Sequence, residues 1–240
     1  MNQKSKSKMK KITVNLSYYN QKDVLIKHIE LWKNYVIQNR LDFTFCIIDD
    51  CSKIPAYEIL KDLDLSNLDI RLYRVKEDLY CNIAGVRNLA ATVCETDWMV
   101  ILDMDTMISN ELALEMINLT DTESGNCFKF NRRVLASADK EKHGQIHPAI
   151  CLLRKDDYWN VGGCDEDLVG HYGQTDPMFW YRSSGKLNVH IMNNLYLDYI
   201  PEGGADINRN TLHNQLLFEE KKRSNSWSQD FVRFKWEKLI

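Results

Sequence analysis

Along the first half of the chain, short apolar runs alternate with stretches whose apolar residues recur every three or four positions. Ile12 to Leu16 is the first run and reads as a strand, ending in the polar Ser17-Tyr18-Tyr19-Asn20. From Asp23 to Gln38, Leu25, Ile29, Trp32 and Val36 fall at spacings of 4, 3 and 4, which is one apolar helix face. Asp23 sits where negative charge favours a helix start. Phe43 to Ile48 predicts a second strand, Pro55 to Leu63 a short helix, Ile70 to Val75 a third strand and Asn82 to Cys94 a third helix. The fourth run, Trp98 to Leu102, is five unbroken apolar residues that stop at Asp103-Met104-Asp105. Such a run reads as a central parallel strand buried on both faces. The repeated strand–helix order predicts an α/β fold with a parallel sheet and right-handed crossovers.

The second half is less regular. Ser109 to Leu119 predicts a helix, Cys127 to Phe130 and Ala149 to Leu153 predict strands, and residues 131–146 read as a polar, flexible loop. Gln174-Thr175-Asp176-Pro177 has the form of a helix start, with Thr175 or Asp176 capping and proline in the first turn. Leu187 to Met192 is strand-like, Gly203-Gly204 marks a mobile loop, and Gln215 to Arg223 is an amphipathic helix. The tail bearing Trp227 and Trp236 either packs on the sheet or covers a ligand. The expected organisation is a disordered basic tail at 1–11, two halves at 12–106 and 107–220, and a helical tail at 221–240.

Composition narrows the class. A chain of 240 residues buries a sizeable core as one large domain. A net charge of −3 gives no global field for nucleic acid. The seven cysteines are scattered, with no C-x-x-C, which fits free thiols in a reducing compartment. No apolar run approaches the roughly 20 residues that span a bilayer. Residues 1–11 carry five lysines and no signal-peptide pattern, so a cytoplasmic location without a membrane span is expected.

Polar groups gather at the end of each predicted strand: Tyr19-Asn20, Asp49-Asp50, the stretch 78–88, and Asp103 with Asp105. In open α/β sheets that edge is where ligands bind. Strand periodicity points Asp103 and Asp105 to one side, where two carboxylates repel unless a cation or shared proton neutralises them. Mg²⁺ or Mn²⁺ suits such a pair; two solvated acids at a loop entrance suit it equally. Asp49-Asp50 either accepts from a nucleobase N–H or ribose hydroxyl, or caps the following turn. In Cys81 to Ala91 the small Ala84 and Gly85 leave a helix start open to a phosphate, with Arg87 one turn in. Alternatively, Gly85 serves close packing and Arg87 is solvated. No G-x-G-x-x-G is present.

Taken in order, YYN, IIDDCS, NIAGVRNLAA and ILDMDT resemble the nucleotide-sugar half of a GT-A fold glycosyltransferase of the family 2 type. The resemblance covers roughly residues 12 to 220 and is strongest at 12–106 and 158–182. It implies a single domain with a mostly parallel central sheet flanked by helices. It also implies metal-dependent sugar transfer from a nucleotide-diphosphate sugar to a hydroxyl of a glycan or glycoconjugate, with inversion. UDP-sugar is the favoured donor and GDP-sugar the alternative. Residues 12–106 would be the donor half, with Tyr19, Asn20, Arg87 and Asn88 lining the pocket and Asp49 or Asp50 holding base or ribose. Asp103 and Asp105 would face ribose, diphosphate and Mn²⁺ or Mg²⁺. The late His213, preferred over His190, would complete the metal site.

Tyr158 to Arg182, YWNVGGCDEDLVGHYGQTDPMFWYR, is similar to the family's acceptor segment in the half at 107–220. That implies acceptor contacts at Gly163, Asp165, Glu166 and Thr175, with Asp176 as general base. Simple helix capping is the other reading of Asp176. Thr175 stands where the family more often has Glu.

Three rivals use the same residues. A haloacid dehalogenase-type phosphatase wants Thr two residues after the second Asp, whereas Thr106 follows directly and three strands precede the motif. A pyrophosphorylase wants a glycine-rich basic loop after the first strand, and Ser17 to Gln21 is not one. A non-catalytic nucleotide-sugar-binding module would not need Asp103, Asp105 and Asp176 all in place.

Overall fold

The computed structural model describes residues 12–34, 43–134, 143–200 and 207–240. The expectations for 1–11, for the helix end at 35–38 and for Gly203-Gly204 lie outside the described residues. The first half runs β1 (Ile12–Tyr18), α1 (Lys22–Asn34), β2 (Phe43–Asp49), α2 (Ala56–Leu60), β3 (Ile70–Val75), α3 (Ile83–Val93) and β4 (Trp98–Leu102). The second half runs β5 (Thr106–Met107), α4 (Asn110–Leu119), β6 (Asn126–Val134), β7 (Ile146–Arg154), α5 (Lys155–Val161), α6 (Thr175–Ser183), β8 (Asn188–Tyr199), α7 (Leu212–Ser224) and β9 (Trp236–Lys238).

Among the described residues the strands form one sheet in the order β5-β8-β6-β7-β4-β1-β2-β3-β9. The parallel block is β4-β1-β2-β3, as the strand–helix repeat predicts. β7 joins β4 antiparallel, so both halves share one sheet. Alternation along the buried strands builds a core on each face. Val14, Leu16, Phe45 and Ile47 pack with Leu25, Ile29 and Trp32 of α1, where Trp32 stacks on Phe45 at 4.3 Å. Cys46, Ile48, Tyr73 and Val75 meet Val86, Leu89 and Ala90 of α3 on the other face. All seven cysteines are free. Among the described residues no helix is long and apolar enough to cross a membrane.

Three expectations are corrected. Residues 131–134 and 146 belong to β6 and β7 instead of a loop, while 135–142 lie outside the described residues. The ladder satisfies the backbone, Asn131 is buried and donates to Asn193 O at 2.9 Å, and Arg133 donates to Asp198 of β8 at 2.8 Å. β8 runs on to Tyr199, past the expected end at Met192. The tail is not helical beyond Ser224; β9 adds an antiparallel edge strand to β3 and packs Trp236 against Tyr73.

Candidate functional site

The carboxyl ends of β1, β2 and β4 open onto a cavity of about 230 Å³. β1 contributes Tyr19, the β2 end Asp50, the start of α3 Arg87, and the β4 end Asp103 to Asp105. Residues 172–176 and the side chains of Ile207 and Arg209 close it from the second half.

Arg87 is the hub. The apolar residues of α3 are buried in the core, which turns Arg87 into the cavity floor at 6% exposure. Its guanidinium donates to Asp176 Oδ1 at 2.5 Å and to Asp103 Oδ1 at 3.0 Å. Burial works against the charge, but Asp176 and Asp103 outweigh it and hold Arg87 well above the usual arginine range. The expected diphosphate contact therefore belongs to a residue already engaged by two carboxylates. Asp176 does not cap α6; that place is taken by Gln174, with φ 66°, and Thr175 lines the cavity.

Asp103 and Asp105 converge for a different reason than strand alternation. β4 stops at Leu102, and a tight turn follows in which Thr106 N and Oγ1 donate to Asp103 O at 3.2 and 3.1 Å. His28 of α1, fully buried, contacts Met104 O through Nε2 at 3.2 Å and fixes the turn from behind. Carboxylate atoms of Asp103 and Asp105 and a ring nitrogen of His147 lie within 4.8 Å of one another. Asp105 Oδ1 is buried without a hydrogen-bond partner among the described residues. A hard divalent cation fits this pair of oxygen donors and would satisfy that orphaned atom.

His147 is not announced by any motif. The antiparallel register Ile101↔Cys151, carried four residues on, brings 147 beside 105. His147 Nδ1 accepts from Ala149 N and Ile150 N, both at 3.2 Å. In the neutral ring the proton then sits on Nε2, 3.9 Å from Asp105 Oδ1. At that distance His147 makes no hydrogen bond to Asp105, and its ring stands beside the two carboxylates as the third member of the cluster.

His213 is elsewhere. Its ring stacks on His171 at 3.6 Å at the start of α7, outside the Asp103/Asp105 cluster. His190 lies on exposed β8, bonded to Asn126 Oδ1 at 2.8 Å.

The remaining expected residues divide between cavity and framework. Asp50 faces the cavity, takes a bond from Asn82 Nδ2 at 3.0 Å, and is pushed up to about 7 by burial, with Asp78 adding to the shift and Asn82 opposing it. Tyr19 lines the same wall, its hydroxyl 3.4 Å from Asp78. Asp49 is fully buried and accepts from Ser52 N, Ala56 N and Arg74 at 2.8, 2.9 and 2.6 Å, so it caps the turn. Asn20, with φ 59°, accepts from Lys53 N at 2.7 Å. Gly85 leaves room for Asn82 and Phe234 and not for a phosphate.

Asn88 is buried beneath the floor. It accepts from Tyr158 Oη at 2.6 Å and Cys164 N at 2.9 Å, and donates to Cys164 O and Glu166 Oε1 at 2.9 and 2.8 Å. Glu166 then accepts from Val232 N and Arg233 N at 2.6 and 3.1 Å. Asp165 accepts from Ser228 N at 3.0 Å and pairs with Lys221 at 3.1 Å. The Gly163 carbonyl takes a bond from Arg182 at 3.2 Å. The GG-x-DE segment is therefore a largely buried clasp that ties the C-terminal stretch to the sheet. Its buried carboxylates are spent on backbone N–H groups and cations, as burial demands.

The family model of glycosyl transferase family 2 matches residues 13–185. No curated protein matches the chain by sequence. Solved structures share the fold. S. aureus TarS 1-349 in complex with UDP-GlcNAc is 13% identical with a TM-score of 0.66, covering 81% of this chain and 60% of its own. The Pyrobaculum calidifontis mannosyltransferase PcManGT, in complex with GDP-Man and Mn²⁺, is 12% identical with a TM-score of 0.63, covering 91% and 65%. The catalytic domain of Drosophila β1,4-galactosyltransferase 7, with xylobiose, is 12% identical with a TM-score of 0.56, covering 92% and 82%. The chain thus spans about three fifths of the TarS 1-349 chain.

Proposed function

The chain belongs to glycosyl transferase family 2, and from that premise we propose that it transfers a sugar from a UDP-sugar to a glycan hydroxyl, with inversion and a divalent cation. The observation that carries this reading is the meeting of Asp103, Asp105, Asp176 and Arg87 on one cavity at the parallel-strand edge. The family match removes the haloacid dehalogenase alternative. Relatives of the same fold bind UDP-GlcNAc in TarS, and GDP-Man with Mn²⁺ in PcManGT.

The uridine series is favoured by the likeness to TarS in complex with UDP-GlcNAc, and Asp50 on the cavity wall would face the base or ribose.

In the reaction the acceptor oxygen attacks the anomeric carbon. Asp176 takes the hydroxyl proton, and the bond from that carbon to the diphosphate oxygen breaks as the nucleoside diphosphate leaves. Asp103 and Asp105 would hold Mn²⁺ or Mg²⁺, which when bound supplies positive charge to the leaving diphosphate. Arg87 keeps a second positive charge between the base and the diphosphate side. His28 holds the Met104 carbonyl from behind, and His147 lies beside Asp105 at 3.9 Å.

The test is donor hydrolysis without an acceptor. Release of UDP from UDP-GlcNAc, UDP-glucose or UDP-galactose with Mn²⁺, stopped by chelator, supports turnover. Nucleotide binding without any release would make the protein a binding module.

A further inference from the structure

A second groove, about 420 Å³, opens beside the donor cavity; Tyr80, His171, Tyr172, Asn208, Asn210 and His213 are among its walls. Tyr172 lines both spaces. The stretch 207–210 is the partition between them: residues 207 and 209 face the donor cavity, and 208 and 210 face the groove. That alternation is what an extended chain imposes. The groove is therefore one residue's thickness from the cavity that holds Asp176.

Its surface is unusual for a solvent-facing loop. Tyr80 has φ +68°, a left-handed conformation that is an outlier for a bulky residue. Its hydroxyl accepts from Asn208 N at 2.9 Å, which ties the loop before α3 to the partition. Even so, Tyr80 is 46% exposed, and on the same groove Leu212 and Leu216 are 58% and 64% exposed. Backbone strain held in place to present an aromatic ring to solvent marks a surface kept for contact. The stacked His171 and His213 rings add a second flat face.

We propose that this groove is the acceptor subsite and that its occupant is a neutral or weakly charged oligosaccharide, an inference that rests on the transferase reading above. Flat rings receive the apolar C–H face of a pyranose; Asn208 and Asn210 use their amide oxygens on Asn210 N and Leu212 N at 3.0 Å, which leaves their NH₂ groups as donors for sugar hydroxyls on the groove wall. Continuity through Tyr172 lets the terminal sugar reach toward Asp176. Of the residues expected to meet the acceptor, Gly163, Asp165 and Glu166 are engaged in the buried clasp while Thr175 lines the cavity that the groove adjoins. A second copy of the chain is the other occupant to consider, but amides and imidazoles set in a concavity suit hydroxyl groups better than a flat apolar interface.

The experiment is saturation-transfer NMR on the full chain with UDP and Mn²⁺ present, using maltotriose, cellotriose, chitotriose and mannotriose as probes. It is run on the wild type, Tyr80→Ala and Leu216→Glu, with sedimentation and UDP-induced melting shifts measured in parallel. At least one trisaccharide should bind the wild type, and each variant should weaken it about tenfold while keeping the UDP shift. No saccharide binding to the wild type, or equal binding by both variants, overturns the proposal. Loss of a dimer in the variants with saccharide binding unchanged also overturns it, and gives the groove to a second copy. Saccharide binding that survives in a wild type showing no UDP shift would instead sink the donor assignment and leave the groove standing.

Discussion

Arg87 lies between Asp176 and Asp103, at 2.5 and 3.0 Å, so a residue from α3 joins the start of α6 to the turn after β4. Removing it leaves two carboxylates facing each other without a counter-charge. Arg87→Ala should therefore lower unfolding stability, by less than the about 3–5 kcal/mol of a fully buried pair, because Asp103 and Asp176 are 26% and 27% exposed. Arg87→Lys keeps a point charge but cannot fork to both partners, and should restore part of the stability while leaving transfer impaired. Urea denaturation read beside UDP release checks both.

Asp105→Ala and Asp103→Ala should separate. Both should abolish the Mn²⁺-dependent part of nucleotide binding, since each removes an oxygen donor from the cluster. In the absence of metal, Asp103→Ala frees one arm of Arg87 and should lower stability, whereas Asp105→Ala removes a buried unpartnered oxygen and should raise it. Calorimetric titration of UDP with Mn²⁺ and with chelator, plus metal-free melting curves, distinguishes them.

Asp176→Asn should leave UDP-sugar binding within a fewfold of wild type and slow transfer by about 10²–10⁴, the range for loss of a general base. Transfer at wild-type rate would remove Asp176 from the base role.

Two buried groups should tilt the stability curve in opposite directions. His28 is pulled down to about 4 by burial, partly offset by its bond to Met104. The unfolded chain takes that proton near 6.5, so the stability from neutral His28 is whole above 6.5 and is lost as pH falls toward 4. Asp50 is raised to about 7, so the folded chain keeps a proton that the unfolded chain releases near 3.8. Its penalty is absent below 3.8 and grows as pH rises to about 7. Each shift is on the order of 3–4 kcal/mol. Asp50→Asn should thus expose a steeper acid loss, and His28→Phe the reverse slope, in melting temperatures from pH 4 to 7.5.

The first half was legible because its strands are buried on both faces, so β1, β2 and β4 show as apolar runs that end at polar clusters. β6 and β8 were cut short where polar residues break the apolar run, at Asn131 to Arg133 in β6 and at Asn193-Asn194 in β8. Within the motifs, neighbours with the same chemistry parted company. Asp49 turned inward to cap while Asp50 met the cavity, and Asn88 went to the clasp while Arg87 met the aspartates. Sequence spacing does not encode that choice; the packing of Arg74, Tyr158 and Glu166 around them does. His147 and the partition at 207–210 reach the site through strand register and loop path alone, which no local pattern reports.

The most direct measurement is the melting temperature of the purified chain against UDP, GDP, UDP-sugars and GDP-mannose, each with Mn²⁺ and with chelator. At a hundredfold excess over Kd a ligand of the folded state adds about 2.7 kcal/mol, a rise of about 5–10 °C at this size. The account predicts that rise for the uridine series, only with metal, and its loss in Asp105→Ala. No rise with any nucleotide when Mn²⁺ is present would contradict it.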